Sequence, residues 1–179
     1  MIKQGCRIAN PRTGQIMIFR KTSNETDGKL LEIECYNPRS DMLEPIHIHP
    51  FQESSNEVLS GKLHFWIDGK IKAIGTGERI VIPAGVPHRF WNEDPEEAHH
   101  IARFSPALNI AGFFDTLFAL ARDGKLNKDG KPNFLHACLI ILSHKDEIRL
   151  AKPPWVIQYF TYLLLAPIAR LLGYRKSYP

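Results

Sequence analysis

A mainly β fold followed by helices is predicted from three observations. Up to about residue 105, apolar residues come in short runs broken by Gly, Pro, Asn and Asp. Beyond it they recur at three- and four-residue steps. The change happens once, with no internal repeat or low-complexity segment. The 179 residues suffice for one domain with an appendage and a core that needs no cross-links. An apolar fraction of 44% and a charged fraction of 23% exclude a disordered chain.

The strands follow in order. Gln15 to Arg20 and Leu30 to Tyr36 lead, then Ile46 to His49, Glu57 to Leu59 and Lys62 to Asp68. Asp68-Gly69 marks a two-residue hairpin turn, because such a turn needs positive φ, which Gly adopts without steric cost. Ile71 to Ile74, Arg79 to Ile82, Phe90-Trp91 and His99 to Phe104 complete the set. Many short strands spaced by turns predict a sandwich or barrel over residues 1–105.

Residues 106–179 read as a helical extension of about three helices, packed on the barrel or on a partner subunit. Ile110, Phe113, Phe114, Leu117, Phe118 and Ala121 form one apolar face, and Gly124 ends that helix. A second face runs from Phe134 to Leu142, and Lys152-Pro153-Pro154 breaks the chain. Trp155 to Leu172, 18 residues, approaches the ~20 needed to span a bilayer. Trp155, Tyr159, Tyr162 and Tyr174 are interfacial residue types, and Arg175-Lys176 flank the segment. Gln158, Thr161, Pro167 and Arg170 interrupt it, so membrane association is not expected.

The net charge of +4 is scattered and predicts no nucleic-acid binding. Cys6, Cys35 and Cys138 lie far apart, which fits reduced thiols. The N-terminus lacks the apolar run of a signal peptide, so a cytoplasmic location is expected and the Asn24-Glu25-Thr26 sequon is fortuitous.

The chemistry-bearing stretch runs from residue 41 to residue 92. His47 and His49 are two apart, which on a strand puts both imidazoles on one face. His88 follows a Pro-Ala-Gly-Val-Pro turn and meets the pair if its strand lies opposite. Three imidazoles, with a carboxylate near Glu53, suit Fe, Mn, Ni, Cu or Zn.

Gly77, Pro83, Gly85, His88 and Asn92 stand at the spacing of the second cupin motif, and His47-x-His49 matches the first, so the chain resembles the cupin superfamily. The resemblance covers roughly residues 30–105 and implies a jelly-roll barrel. Asp41 stands where the first motif opens with Gly. Its Glu falls on Glu53 counting forward from His49, and on Ser54 counting back from Gly61. A strand running straight back from Val58 turns Ser54 and Asn56 to the cavity; a bulge after Pro50 brings Glu53 inward. The Leu-Leu-Gly-Tyr end also resembles a bacterial subgroup of the superfamily.

The expected metal ligands are thus His47, His49, Glu53 and His88, and the expected substrate-binding residues are Ser54, Asn56, Phe65, Ile67 and Phe90. Leu63, Phe65 and Ile67 face inward, and His64 with Trp66 outward. Glu57 is expected to point out, and Gly77, Pro83, Gly85 and Asn92 to shape turns. No dinucleotide loop, P-loop or nucleophile elbow is present. The resemblance implies a homodimer that binds a small molecule at a divalent transition metal, as a dioxygenase or an isomerase. The alternative is a non-catalytic or sensory small-ligand binder with a degenerate metal site, which holds a structural metal or none.

Overall fold

The computed structural model of the chain describes residues 2–176. The first residue and the last three of the expected extension lie outside that range.

Two antiparallel sheets face each other as a jelly-roll barrel. One has the order β1 (Arg7–Ala9), β2 (Ile16–Lys21), β3 (Leu31–Asn37), β10 (Ala98–Ser105), β5 (Glu53–Ser60), β8 (Arg79–Ile82). The other runs β11 (Arg149–Leu150), β4 (His47–Ile48), β9 (His88–Trp91), β6 (Lys62–Ile67), β7 (Lys70–Gly75). Period-two alternation buries one side of each strand: Leu31, Ile33 and Cys35 on β3, Ala98, His100, Ala102 and Phe104 on β10. Asp68 and Gly69, with φ of 44° and 85°, make the predicted hairpin turn between β6 and β7.

Three helices are described after β10, α1 (Ile110–Arg122), α2 (Phe134–Ser143) and α3 (Trp155–Leu171), with β11 between the last two. The extension is continuous with the barrel core. Ile110, Phe113 and Leu120 of α1 pack in one cluster with Phe19, Ile33 and Phe104 of the barrel. A second cluster, including Val58, Leu63 and Phe65, fills the space between β5 and β6. Helix α3 seats Ala166 and Ala169 against Leu139 of α2.

Two strands depart from the sequence reading. β1 and β11 are too short to show a period. β11 comes from the extension and pairs with β4, so the extension completes the sheet that carries His47. β5 also begins earlier than expected, at Glu53, without interruption back from Val58.

Candidate metal centre

β4 and β9 are neighbouring strands, and His47 lies directly opposite His88 in their register. His49 follows β4 two residues on, on the same face. All three are buried, with ring centroids 4.5–5.2 Å apart. One ring nitrogen from each lies within 4.8 Å of the others.

Backbone carbonyls hold each ring. Nδ1 of His47 donates to Pro45 O at 3.0 Å, Nδ1 of His88 to Val86 O at 2.8 Å, and Nδ1 of His49 to Glu147 O at 2.7 Å. A carbonyl only accepts, so each Nδ1 bears the proton and each Nε2 keeps a free lone pair. Two of the acceptors are local, two residues before the histidine. The third comes from the extension. Burial pushes all three imidazoles below their ordinary pKa, that of His88 to about 4. Repulsion from His47 adds to the depression at His49 and His88. The rings are therefore neutral donors near pH 7. Three converging neutral imidazoles fit a borderline divalent metal such as Zn, Fe, Ni or Cu and leave positions open for water or ligand.

The expected fourth ligand is corrected. Glu53 is exposed, outside both the histidine group and the cavity lining. The uninterrupted register of β5 against Phe104 and Ile82 turns Ser54 and Asn56 inward and Glu53 outward. The bulge lies at the other end of β5, where the pairing shifts between His99 and His100.

The histidines line a cavity of about 560 Å³. Of the expected substrate-binding residues, Ser54, Asn56, Phe65 and Phe90 line it. Ile67 does not: it packs into the apolar cluster around Leu63. His64 is held by Asp94 at 2.9 Å, Glu57 pairs with Arg103 at 2.8 Å, and Asn92 donates to the backbone of Asn37 and Glu96.

Glu44, Asn37 and His100, which the sequence reading missed, also line the cavity. Glu44 is half-buried, with its carboxyl enclosed; it accepts from the Phe90 N–H at 3.1 Å, and burial pushes its pKa up to about 7. His100 meets Asn37 side chain to side chain at 2.8 Å, and burial lowers its pKa to about 3. Asn37 Oδ1 and His100 Nδ1 have no partner among the described residues. His100 carried a readable signal, since it alternates with Ala98 and Ala102 on the inward face of β10. Glu44 lies in a loop with no period, and no sequence signal marks it. Phe113 and Phe114 of α1 and Ile148 before β11 close the wall.

A buried cluster of histidines inside a jelly roll defines a cupin-type barrel. Residues 33–102, under half of the chain, match the cupin domain family. The curated polyketide synthase CurC from Streptomyces cyaneus is 33% identical over 60 residues, covering 34% of this chain and 39% of that protein. The match therefore spans well under two thirds of that relative's length. Among solved structures, an RmlC-like cupin from Shewanella frigidimarina is similar at 21% identity and TM-score 0.49, covering 58% of this chain and 86% of that one. KdgF from Halomonas sp. is similar at 18% identity and TM-score 0.48, covering 55% and 84%.

Proposed function

We propose that this protein binds a small, largely apolar organic molecule in its barrel, against one divalent transition metal held by His47, His49 and His88, and isomerises it by proton transfer. The observation that carries this reading is the convergence of one ring nitrogen from each of three imidazoles whose Nδ1 atoms are all tied to carbonyls. A metal bound there would supply Lewis-acid polarisation of a ligand oxygen.

The chain's own groups do the rest. Phe65, Phe90 and Phe104 give the cavity apolar walls. Glu44, poised near neutrality, can hold or release a proton at its carboxyl, as a general acid or base must. This favours isomerisation over dioxygenation among the reactions that the family resemblance implies. Asn37 and His100 place an unpaired acceptor and an unpaired donor among the residues that line the cavity, His100 against Phe90 at 5.8 Å between ring centroids. A molecule with one oxygen for the metal and a second hydrogen-bonding group for Asn37 and His100 matches this lining. The curated relative is by name a polyketide synthase, which accords with an apolar, oxygen-bearing ligand.

A second reading is a non-catalytic ligand binder, favoured by the outward turn of Glu53. Elemental analysis of untagged protein separates the possibilities. About one equivalent of transition metal is expected, and His88→Ala is expected to lose it. Less than about a tenth of an equivalent after growth with added iron, manganese, nickel and zinc would defeat the metal-dependent reading and leave the binder.

A further inference from the structure

Helix α3 buries one side only. Gln158, Tyr162, Ala166 and Ala169 face the protein. On the other side Val156, Ile157, Phe160, Leu163 and Leu164 are exposed, Leu164 to 74%. Ile168, Leu171 and Leu172 continue the stripe, with Leu171 at 88%. At 100° per residue these positions share one face, with Pro167 among them and Arg170 on its border. The expectation that this helix is covered is therefore met on one side alone. Eight large apolar side chains in one stripe exceed the scattered exposure normal for a surface.

The chain segment that carries the stripe has charged side chains of one sign, though Arg149 at its start pairs with Asp146 at 3.9 Å. From Arg149 to Lys176 the chain carries five cations and no carboxylate side chain. Lys152 stands exposed before the helix, Arg170 in its last turn, and Arg175 and Lys176 just after it. Trp155 and Tyr159 flank the stripe half-buried, in the place of aromatic residues that settle at a bilayer interface. A second copy of the same face is a poor occupant. Whether two such helices ran parallel or antiparallel, cations would oppose cations at both ends with no acid between them.

We propose that α3 docks in the plane of an anionic bilayer surface, with the apolar stripe in the acyl boundary and the flanking cations on lipid phosphates. No helix among the described residues is long and apolar enough to cross a membrane, so the contact is with the surface. The proposal is independent of the metal centre.

The test is sedimentation of the full chain with vesicles of phosphatidylcholine alone, or with about 30% phosphatidylglycerol, at about 0.1 M and 0.5 M salt. Binding is expected with the anionic vesicles and is expected to weaken at high salt. Leu164→Glu is expected to reduce it by about tenfold or more, and the pair Arg175→Glu and Lys176→Glu by at least about fivefold per cation. Both changes lie on the surface, so metal content and thermal midpoint should not move. Protein left in the supernatant with anionic vesicles overturns the proposal. So does a dimer by light scattering that Leu164→Glu turns into monomers without any vesicle binding in the parent, which would make the stripe a self-interface.

Discussion

Glu44 and the three histidines show how burial sets chemistry at single residues. The same desolvation that keeps His47, His49 and His88 neutral raises Glu44, because in each case the charged form loses water. For Glu44 the folded pKa of about 7 lies above its ordinary 4.5. The folded chain thus holds a proton that the unfolded chain releases, and stability falls as pH rises from 4.5 through 7. In metal-free protein, Glu44→Gln keeps an acceptor for the Phe90 N–H and removes this cost. It is expected to raise stability by about 2–3 kcal/mol at pH 8 and to change little at pH 4.5. Urea titrations at the two pH values check this; equal effects at both would show that the carboxyl ionises freely.

Elements place the residues, and two turns show how tightly. Gly61 joins β5 to β6 at φ +78°, and a Cβ there would meet the Glu97 carbonyl at 2.7 Å. Gly85, in the turn before His88, has the same φ of +78° with nothing within 4 Å. Left-handed backbone alone costs a side chain about 1–2 kcal/mol. Gly85→Ala should therefore cost about that much, and Gly61→Ala clearly more, since a backbone oxygen cannot step aside. Chemical denaturation of both variants compares them, and the reverse order would refute the close approach. Strand register settles the Glu53 question in the same way. The rule that neighbours on a strand face opposite sides was readable, but where the extra residue sits was not, and it is Leu59 rather than one after Pro50.

Across the whole molecule, buried neutral histidines make the fold sensitive to acid. His47, His49, His88 and His100 all have folded pKa values below the ordinary 6.5. As pH falls below 6.5 the unfolded chain takes up protons that the folded chain refuses, so stability drops with pH. Each such proton contributes about 1.4 kcal/mol per pH unit. The opposing contribution of Glu44 over part of this range is one proton against several. The thermal midpoint of metal-free protein is expected to fall steeply between about pH 6.5 and 4. A flat profile would mean that these rings titrate as if in water.

The sequence by itself determined the class of fold, the order of nearly all its elements and the three histidines, because hydrophobic period and turn chemistry are local properties. It also put Phe65 on the inward face of its strand, since alternation along one strand suffices for that, while Ser54 and Asn56 waited on the register of β5. Tertiary structure alone decided the outward turn of Glu53, the place of Glu44 and the union of extension and barrel. The carbonyl that holds His49 lies 98 residues away on Glu147, and a bond over such a separation leaves no pattern in the chain. The bare face of α3 belongs with these, because an apolar stripe reads alike whether the fold covers it or leaves it open.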